Sequence, residues 1–365
     1  MESLKIGNLC ATVPIVQGGM GVGVSLSGLA SAVAAEGGVG VISSAGLGLL
    51  YHKNDPDYFQ ASIIGLKEEL RKAREKTSGI IGVNVMVALT NFADMVRTSI
   101  AEKAHVIFSG AGLPLDLPSY LQKDSTTKLV PIVSSARAAK LICEKWKNNY
   151  DYLPDAVVVE GPKAGGHLGY KDQQINDENF SLEKILPEVV GQVREFELAA
   201  DRKIPVIAAG GIYTGEDIYR MMSLGASGVQ LGTRFVTTTE CDADMRFKEA
   251  YLRAGETDIE IIKSPVGMPG RAISGTFLEN VKKGNAKPKA CRFHCIKTCD
   301  SATTPYCIIM ALFNAFKGNL KKGYAFAGSN AYRETHISTV REVMGELVDD
   351  LKKKFSEGKP AESTL

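Results

Sequence analysis

Residues 156–170, AVVVEGPKAGGHLGY, combine an apolar run with a glycine-rich loop around one histidine. The first four residues are apolar and mostly β-branched, which predicts a fully buried strand. The glycines that follow allow the backbone to come close to a ligand, and they surround His167. Because α/β proteins bind their ligands at the carboxyl ends of parallel strands, we expect the functional site in this loop.

Similar apolar runs alternate with helical patterns over the first 235 residues. The predicted strands are 13–17, 39–43, 79–87, 104–108, 129–134, 156–160, 205–209 and 228–231. The predicted helices are 27–36, 57–77, 91–101, 119–123, 136–148, 182–200 and 215–224, with Asn91 and Thr214 as capping residues. This alternation is typical of βαβ units. Eight parallel strands favour a closed (β/α)8 TIM barrel of the α/β class, although the count alone leaves an open sheet possible.

The alternation ends near residue 236, which divides the chain into three predicted parts. These are a barrel over 1–236, an extension over 237–355 that packs on the barrel, and a disordered tail over 356–365. Within the extension, the Gly- and Pro-rich segment 264–273, SPVGMPGRAI, is too irregular to predict a strand. Residues 308–354 predict two helices around the Gly-rich loop 323–330.

The composition excludes several classes of partner. With 43 basic and 41 acidic residues the net charge is +2, so no global field favours nucleic acid or a membrane surface, and we expect a small-molecule substrate. We see no signal peptide and no apolar run long enough to span a membrane, so we expect a cytoplasmic protein. The sequence does not indicate an oligomeric state.

Two glycine-containing turns follow the last two predicted strands. They contain Gly210, Gly211, Gly232 and Thr233. In a βα barrel these loops form the usual phosphate site, where N–H groups and a hydroxyl surround an anion whose charge Arg234 could neutralise. Either turn alone is equally well explained as a simple reversal of the chain. Both together on adjacent strands favour the phosphate site.

The first and third predicted strands offer a surface for a flat ring. Gly18, Gly19 and Met20 follow the first strand, and Asn84 lies in the third. The glycines would let a ring lie against the backbone, and the amide could bond polar ring atoms. A tight turn and an amide satisfied by the protein are the alternatives.

His167 is the candidate for proton transfer. Its ordinary pKa suits acid–base chemistry near neutrality, and a glycine loop gives it little apolar surface against which to pack. Glu160 and Lys163 nearby could steer an anionic substrate or bond a cofactor. The alternatives are a hydrogen-bonded packing histidine and solvated loop charges.

Four of the seven cysteines cluster in the extension: Cys291, Cys295, Cys299 and Cys307. Four thiolates can hold an iron–sulfur cluster or zinc. The spacing is not a common one, and on a continuous helix Cys291 and Cys299 would lie about 12 Å apart along the axis. A metal site therefore requires a turn within the segment. The alternative is a row of buried thiols.

Together these motifs resemble a known family. The segments PIVQGGMG (14–21), GVNVM (82–86), EGPKAGGHLG (160–169), PVIAAGGI (205–212), GVQLGTRF (228–235) and SPVGMPGRAI (264–273) resemble those of the nitronate monooxygenases, and the flavin-dependent enoyl-acyl-carrier-protein reductases share the pattern. The resemblance covers roughly residues 4–275. It implies a βα barrel that binds FMN without a covalent link.

By position, the resemblance implies three groups of cofactor contacts. The isoalloxazine would lie against Gly18, Gly19 and Met20, with Asn84 bonded to it and Ser134 and Glu160 at its border. The wall would continue through Ala164, Gly165 and Gly166, and the phosphate would be held by Gly210, Gly211, Gly232 and Thr233. His167 would be the catalytic residue, as a base toward the carbon beside a nitro group or as a substrate-positioning group. The cysteine cluster is not part of the usual pattern.

Three functions follow as hypotheses. The first is an FMN-dependent oxidoreductase of the nitronate monooxygenase type, which oxidises nitronates or nitroalkanes. The second is an FMN-dependent reductase of an activated double bond, with NAD(P)H or an iron–sulfur cluster as electron donor. The third, from another class, is a non-redox lyase or isomerase that binds a phosphorylated metabolite. A metal-binding interaction module on an inactive barrel is a further alternative for the cysteine segment.

Overall fold

Eight parallel strands close into a barrel in the computed structural model, which describes residues 2–53 and 56–357. The strands of this part of the chain are β1 (Leu4–Ile6), β2 (Leu9–Ala11), β3 (Ile15–Gln17), β4 (Val39–Ser43), β5 (Ile80–Met86), β6 (Val106–Gly110), β7 (Lys128–Val133), β8 (Val157–Glu160), β9 (Gly166–His167), β10 (Val206–Ala209), β11 (Gly228–Leu231), β12 (Ile259–Lys263) and β13 (Pro269–Ile273). The barrel runs β3–β8, then β10 and β11, and β11 pairs with β3. All eight predicted strands and the (β/α)8 barrel are confirmed.

The barrel is filled and closed at its amino end. Bulky side chains from several strands, among them Phe108 and Ile207, form one buried cluster inside it. The hairpin β1–β2, which the sequence did not predict, adds Leu4 and Ile6 to the same cluster. As in other barrels of this kind the interior is a packed core, so a ligand must bind at the other end.

Helices surround the barrel and continue into the extension. They are α1 (Ser27–Ala35), α2 (Leu47–Leu50), α3 (Tyr58–Lys76), α4 (Phe92–Ala101), α5 (Ala136–Tyr150), α6 (Leu182–Ala200), α7 (Gly215–Ser223), α8 (Thr233–Val236), α9 (Met245–Arg253), α10 (Thr276–Lys282), α11 (Ile308–Phe316) and α12 (Val340–Glu357). Thr214 caps α7 as predicted and exchanges hydrogen bonds with Asp217. Asn91 precedes α4, but its backbone is not extended and its side chain makes no capping hydrogen bond. The helix predicted over 119–123 is instead a 3₁₀ turn at Leu117–Tyr120.

A second, smaller sheet lies beside the barrel. Strands β12, β13 and β9 form it, with Gly270 opposite His167 and Arg271 opposite Gly166. The prediction that segment 264–273 is too irregular for a strand was therefore wrong. Proline is tolerated here because Pro269 is the first residue of its strand.

The extension contains the two predicted helices, α11 and α12, with the loop 323–330 between them. Leu347 and Leu351 of α12 are fully buried in the same cluster as residues of the barrel helices and strands. The boundary at residue 236 stays a prediction. The predicted tail begins within α12, and residues 358–365 lie outside the described part of the chain. In the part described, no helix is both long and apolar enough to cross a membrane.

Candidate functional site

A cavity of about 250 Å³ opens at the carboxyl ends of the barrel strands. A water molecule needs only about 10–15 Å³, so this space is large enough for a ligand. Every barrel strand contributes to the wall at or just beyond its carboxyl end, and the loop 323–330 covers one side with residues from Phe326 to Asn330.

Nearly all the residues predicted for the site line this one cavity. They are Gly18, Gly19, Met20, Asn84, Glu160, Lys163, Ala164, Gly165, Gly166, His167, Gly210, Gly211, Gly232 and Thr233. Ser134 is not among the lining residues, and its hydroxyl donates to the carbonyl of Gly169 at 2.9 Å. The structure thus brings the predicted residues together, while their roles toward a ligand stay predictions.

The turns after β10 and β11 offer unpaired backbone donors. The N–H groups of Gly210, Gly211, Gly232 and Thr233 donate no hydrogen bond to any described residue. Gly210 and Gly211 have φ values of +96° and +83°, and a Cβ on Gly211 would lie 2.8 Å from the Cβ of Lys163. The side chain of Asn330 fixes this region from the loop 323–330 by donating to the carbonyl of Gly211 at 2.7 Å. Such a set of free N–H groups can bind an anion.

Arg234 does not take part in this anion-binding surface. It is buried, and its guanidinium pairs with Glu346 at 2.5 Å and lies 3.8 Å from Glu334. The ring of Tyr213 lies beneath it, 4.7 Å from ring centroid to guanidinium carbon. The protein already neutralises this cation, so the expectation that Arg234 neutralises a phosphate does not fit the structure.

The opposite side of the cavity offers glycine backbone and a free amide. Gly19 lies so close to β5 that an added Cβ would come within 2.3 Å of the Cβ of Asn84. The Asn84 side chain makes no hydrogen bond to a described residue, although it lines the cavity. An amide with unused donors and an acceptor suits the polar edge of a flat ring.

His167 is held in place by the small sheet. Its Nε2 lies 2.7 Å from the hydroxyl oxygen of Ser264, which also accepts the N–H of Val266 at 3.2 Å. The ring meets Phe326 edge to face at a centroid distance of 5.0 Å. Burial lowers the pKa of His167 to about 4, so the imidazole is neutral at pH 7.

Glu160 is a second group in the same cavity wall whose pKa is shifted. It ends β8, and burial raises the pKa of its carboxyl to about 7. Glu160 and His167 are therefore both displaced toward their neutral forms by the same cause. Perturbed groups in one cavity are typical of functional sites.

Two residues that support the loop 160–167 were not predicted. Ser264 positions His167, and the buried Arg271 donates to the carbonyls of Pro162 and Ala164, at 2.8 Å for the latter. Burial lowers the pKa of Arg271 to about 10. Both residues lie within the segment 264–273 that carries the family resemblance, which is the one signal that could have indicated them.

The four clustered cysteines lie on an irregular segment rather than on a continuous helix. Cys295 is buried, and its pKa is raised to about 12 by burial and then by the nearby Cys307, Cys291 and Cys299. Within residues 2–53 and 56–357, no three His, Cys, Asp or Glu side chains are arranged to hold a metal ion. Metal binding by these cysteines stays a prediction.

Comparison with known proteins gives consistent results. The family model described as nitronate monooxygenase matches residues 2–102 and 90–350. The chain is 29% identical over 272 residues to a (3aS,4S,5R,7aS)-5-hydroxy-7a-methyl-1-oxo-octahydro-1H-indene-4-carboxyl-CoA dehydrogenase of Mycobacterium tuberculosis. This match covers 74% of this chain and 66% of the dehydrogenase, so the chain spans slightly less than two thirds of that relative. It is 27% identical over 314 residues to a probable nitronate monooxygenase of Staphylococcus haemolyticus, covering 75% and 79%. The structure of FabK from Thermotoga maritima is similar over 94% of both chains, with a TM-score of 0.71 and 26% identity.

The family model thus covers most of the chain, including the barrel and the extension as far as residue 350. The names of the relatives are those of oxidoreductases. The chain belongs to the nitronate monooxygenase family.

Proposed function

We propose that this chain is an FMN-dependent oxidoreductase that oxidises nitronates and nitroalkanes, with His167 as its proton-transfer group. The main support is the neutral imidazole of His167, which Ser264 holds at the wall of a cavity of about 250 Å³. The family match and the probable nitronate monooxygenase of Staphylococcus haemolyticus support the same substrate class.

The residues present fit FMN. The free N–H groups of the turns after β10 and β11 suit its phosphate, and the unpaired amide of Asn84 suits the polar edge of its ring. Gly18 and Gly19 would lie under the ring, and Ala164, Gly165 and Gly166 would form the adjoining wall. When bound, FMN would supply the electron acceptor for the substrate carbon.

The contribution of the chain itself is to move a proton and to attract the substrate. In the tautomer that donates from Nε2 to Ser264, the Nδ1 of His167 is free to accept a proton. A pKa of about 4 makes this nitrogen a weak base in the protein alone, and the nitronate anion formed when a nitroalkane loses its proton would favour the protonated imidazole. Lys163, in the same wall, would attract an anionic substrate.

Flavin content and oxygen uptake test this proposal. We expect the purified protein to be yellow, to release FMN on denaturation, and to consume oxygen with the nitronate of 2-nitropropane. His167→Ala should retain FMN and lose about 100-fold or more in kcat/KM with neutral 2-nitropropane, whose carbon must give up a proton to a general base. His336→Ala, an exposed histidine outside the cavity, is the control and should be unchanged. A colourless protein that binds phosphate esters but no FMN would overturn the proposal and favour a non-redox barrel.

A second candidate is an FMN-dependent reductase of an activated double bond that uses NAD(P)H. The similarity to FabK over 94% of both chains, and to a dehydrogenase of a carboxyl-CoA compound, favours it. Mixing the protein with each substrate without oxygen separates the two candidates. Only in the reductase should NADH or NADPH bleach the flavin absorbance and an enoyl thioester restore it. The nitronate oxidase should be bleached by the nitronate instead.

A further inference from the structure

A buried cation lies directly behind the loop 160–167. Arg271 of β13 is 6% exposed, and the small sheet fixes its backbone opposite Gly166. One nitrogen of its guanidinium donates to the carbonyls of both Pro162 and Ala164, at 2.8 Å for the latter. Among the described residues, Ala164 and Gly166 line the cavity and Arg271 does not. The backbone of the loop therefore separates this positive charge from the cavity.

Arg271 differs from the buried Arg234 in how its charge is balanced. Two carboxylates, those of Glu334 and Glu346, lie within 3.8 Å of the guanidinium of Arg234. For Arg271 the acceptors are two backbone carbonyls, and no carboxylate of the described chain opposes the effect of burial on its pKa. That pKa is lowered to about 10, so the guanidinium keeps its charge at pH 7. A buried cation without a carboxylate partner favours a negative charge nearby.

The two hydrogen bonds of Arg271 also set the direction of two N–H groups. In a trans peptide the N–H points opposite to the carbonyl, so the N–H groups of Lys163 and Gly165 point away from Arg271. Neither group donates a hydrogen bond to any described residue, and both residues line the cavity. Because a hydrogen bond at the carbonyl polarises the whole peptide group, the charge of Arg271 makes both N–H groups stronger donors.

We propose that Arg271 prepares the N–H groups of Lys163 and Gly165 as a binding site for an oxyanion of the substrate, such as a nitronate or a carboxylate. Preorganised N–H groups of this kind stabilise negative charge in enzyme sites. Arg271 acts through the backbone and is therefore a positioning residue. The inference rests on the proposed function, which places the substrate in this cavity beside His167. The phosphate of FMN is a second source of an oxyanion, but the turns after β10 and β11 offer it four free N–H groups of their own.

Two substitutions separate the charge of Arg271 from its hydrogen bonds. Arg271→Gln keeps an amide donor for the carbonyls and loses the charge, whereas Arg271→Lys keeps the charge. Benzoate and benzamide are the probes, because they have the same shape and only benzoate carries an oxyanion. In calorimetric titrations Arg271→Gln should lose about tenfold or more in affinity for benzoate and less than about twofold for benzamide. Arg271→Lys should stay close to the wild type with both, as should the matched control Arg194→Gln, an exposed arginine on α6.

The wild type tests the same site without a substitution. In isotope-labelled protein, the amide proton resonances of Lys163 and Gly165 should move downfield with benzoate and stay in place with benzamide. Resonances that ignore benzoate would overturn the inference. So would equal losses of benzoate and benzamide affinity in Arg271→Gln, which would show a purely structural role.

Flavin binding, measured on the same variants, distinguishes the two sources of the oxyanion. Arg271→Gln should leave the ratio of the affinities for FMN and riboflavin unchanged. A fall in this ratio with unchanged benzoate affinity would place the oxyanion on the phosphate of FMN and overturn the assignment to the substrate. The calorimetric titration does not depend on flavin chemistry. A protein that binds benzoate as expected but no FMN would therefore support the oxyanion site and contradict only the proposed function.

Discussion

At the scale of single residues, the site combines two groups whose pKa values burial shifts toward the neutral form. Burial raises the pKa of Glu160 to about 7 and lowers that of His167 to about 4. A charged form of either group loses hydration in the cavity wall, and this burial is the cause of both pKa shifts. Between pH 5 and pH 9, Glu160 is therefore the member of this pair that changes its charge.

This difference predicts the pH dependence of the reaction with an anionic nitronate. Below about pH 7 Glu160 is protonated, and above it the carboxylate repels the substrate, so kcat/KM should fall as the pH rises through 7. Glu160→Gln should remove this inflection, whereas Glu188→Gln, on the exposed face of α6, should keep it. Steady-state kinetics across this pH range provide the measurement. An inflection near 7 that persists in Glu160→Gln would assign it to another group.

At the scale of elements, the close approach of two loops shapes the cavity wall. A Cβ at Gly165 would lie 2.6 Å from both the carbonyl carbon of Ala327 and the nitrogen of Gly328. Because backbone atoms cannot yield as a flexible side chain can, Gly165→Ala must push the loop 323–330 away from the segment 160–167. We expect the affinity for FMN to fall at least tenfold, measured by flavin fluorescence.

Gly191→Ala is the matched control for that substitution. Gly191 lies in α6, and a Cβ there meets nothing within 4 Å. It should leave FMN binding unchanged and stabilise the helix by up to about 1 kcal/mol. Equal affinity for FMN in both variants would show that the contact between the two loops does not shape the site.

The elements also show how far the sequence predicts the structure. Strands such as β4 and β10 are buried along their whole length, so an apolar run was enough to predict them. Glu160 and His167 were predicted because Glu160 ends such a strand and His167 lies in the glycine loop that follows it. Ser264 was not, because its hydrogen bond joins residues 97 positions apart and depends on a two-residue strand that has no sequence pattern of its own.

At the scale of the whole molecule, the extension and the barrel share one hydrophobic core. Helix α12 packs against α1 and α7, and its buried residues belong to the same cluster as Val229 of β11 and Trp146 of α5. Trp146 is the single tryptophan of the chain and is fully buried on the barrel. Its fluorescence therefore reports the unfolding of the barrel. Trp146 is far from α12 in the sequence, so its signal does not follow α12 alone.

Leu347→Ala tests whether these parts unfold together. Leu347 is fully buried, so the substitution should lower the free energy of unfolding by about 3 kcal/mol through lost burial and a cavity. If α12 and the barrel are one cooperative unit, the guanidinium unfolding curve followed by Trp146 fluorescence should show the full loss of free energy. Its midpoint should then fall to the same guanidinium concentration as the midpoint from circular dichroism. Leu198→Ala, whose side chain is 75% exposed on α6, should change stability by less than about 0.5 kcal/mol. The opposite result would be an unchanged midpoint of the Trp146 fluorescence transition together with a second circular dichroism transition at lower guanidinium concentration. It would show that the extension unfolds as a separate domain.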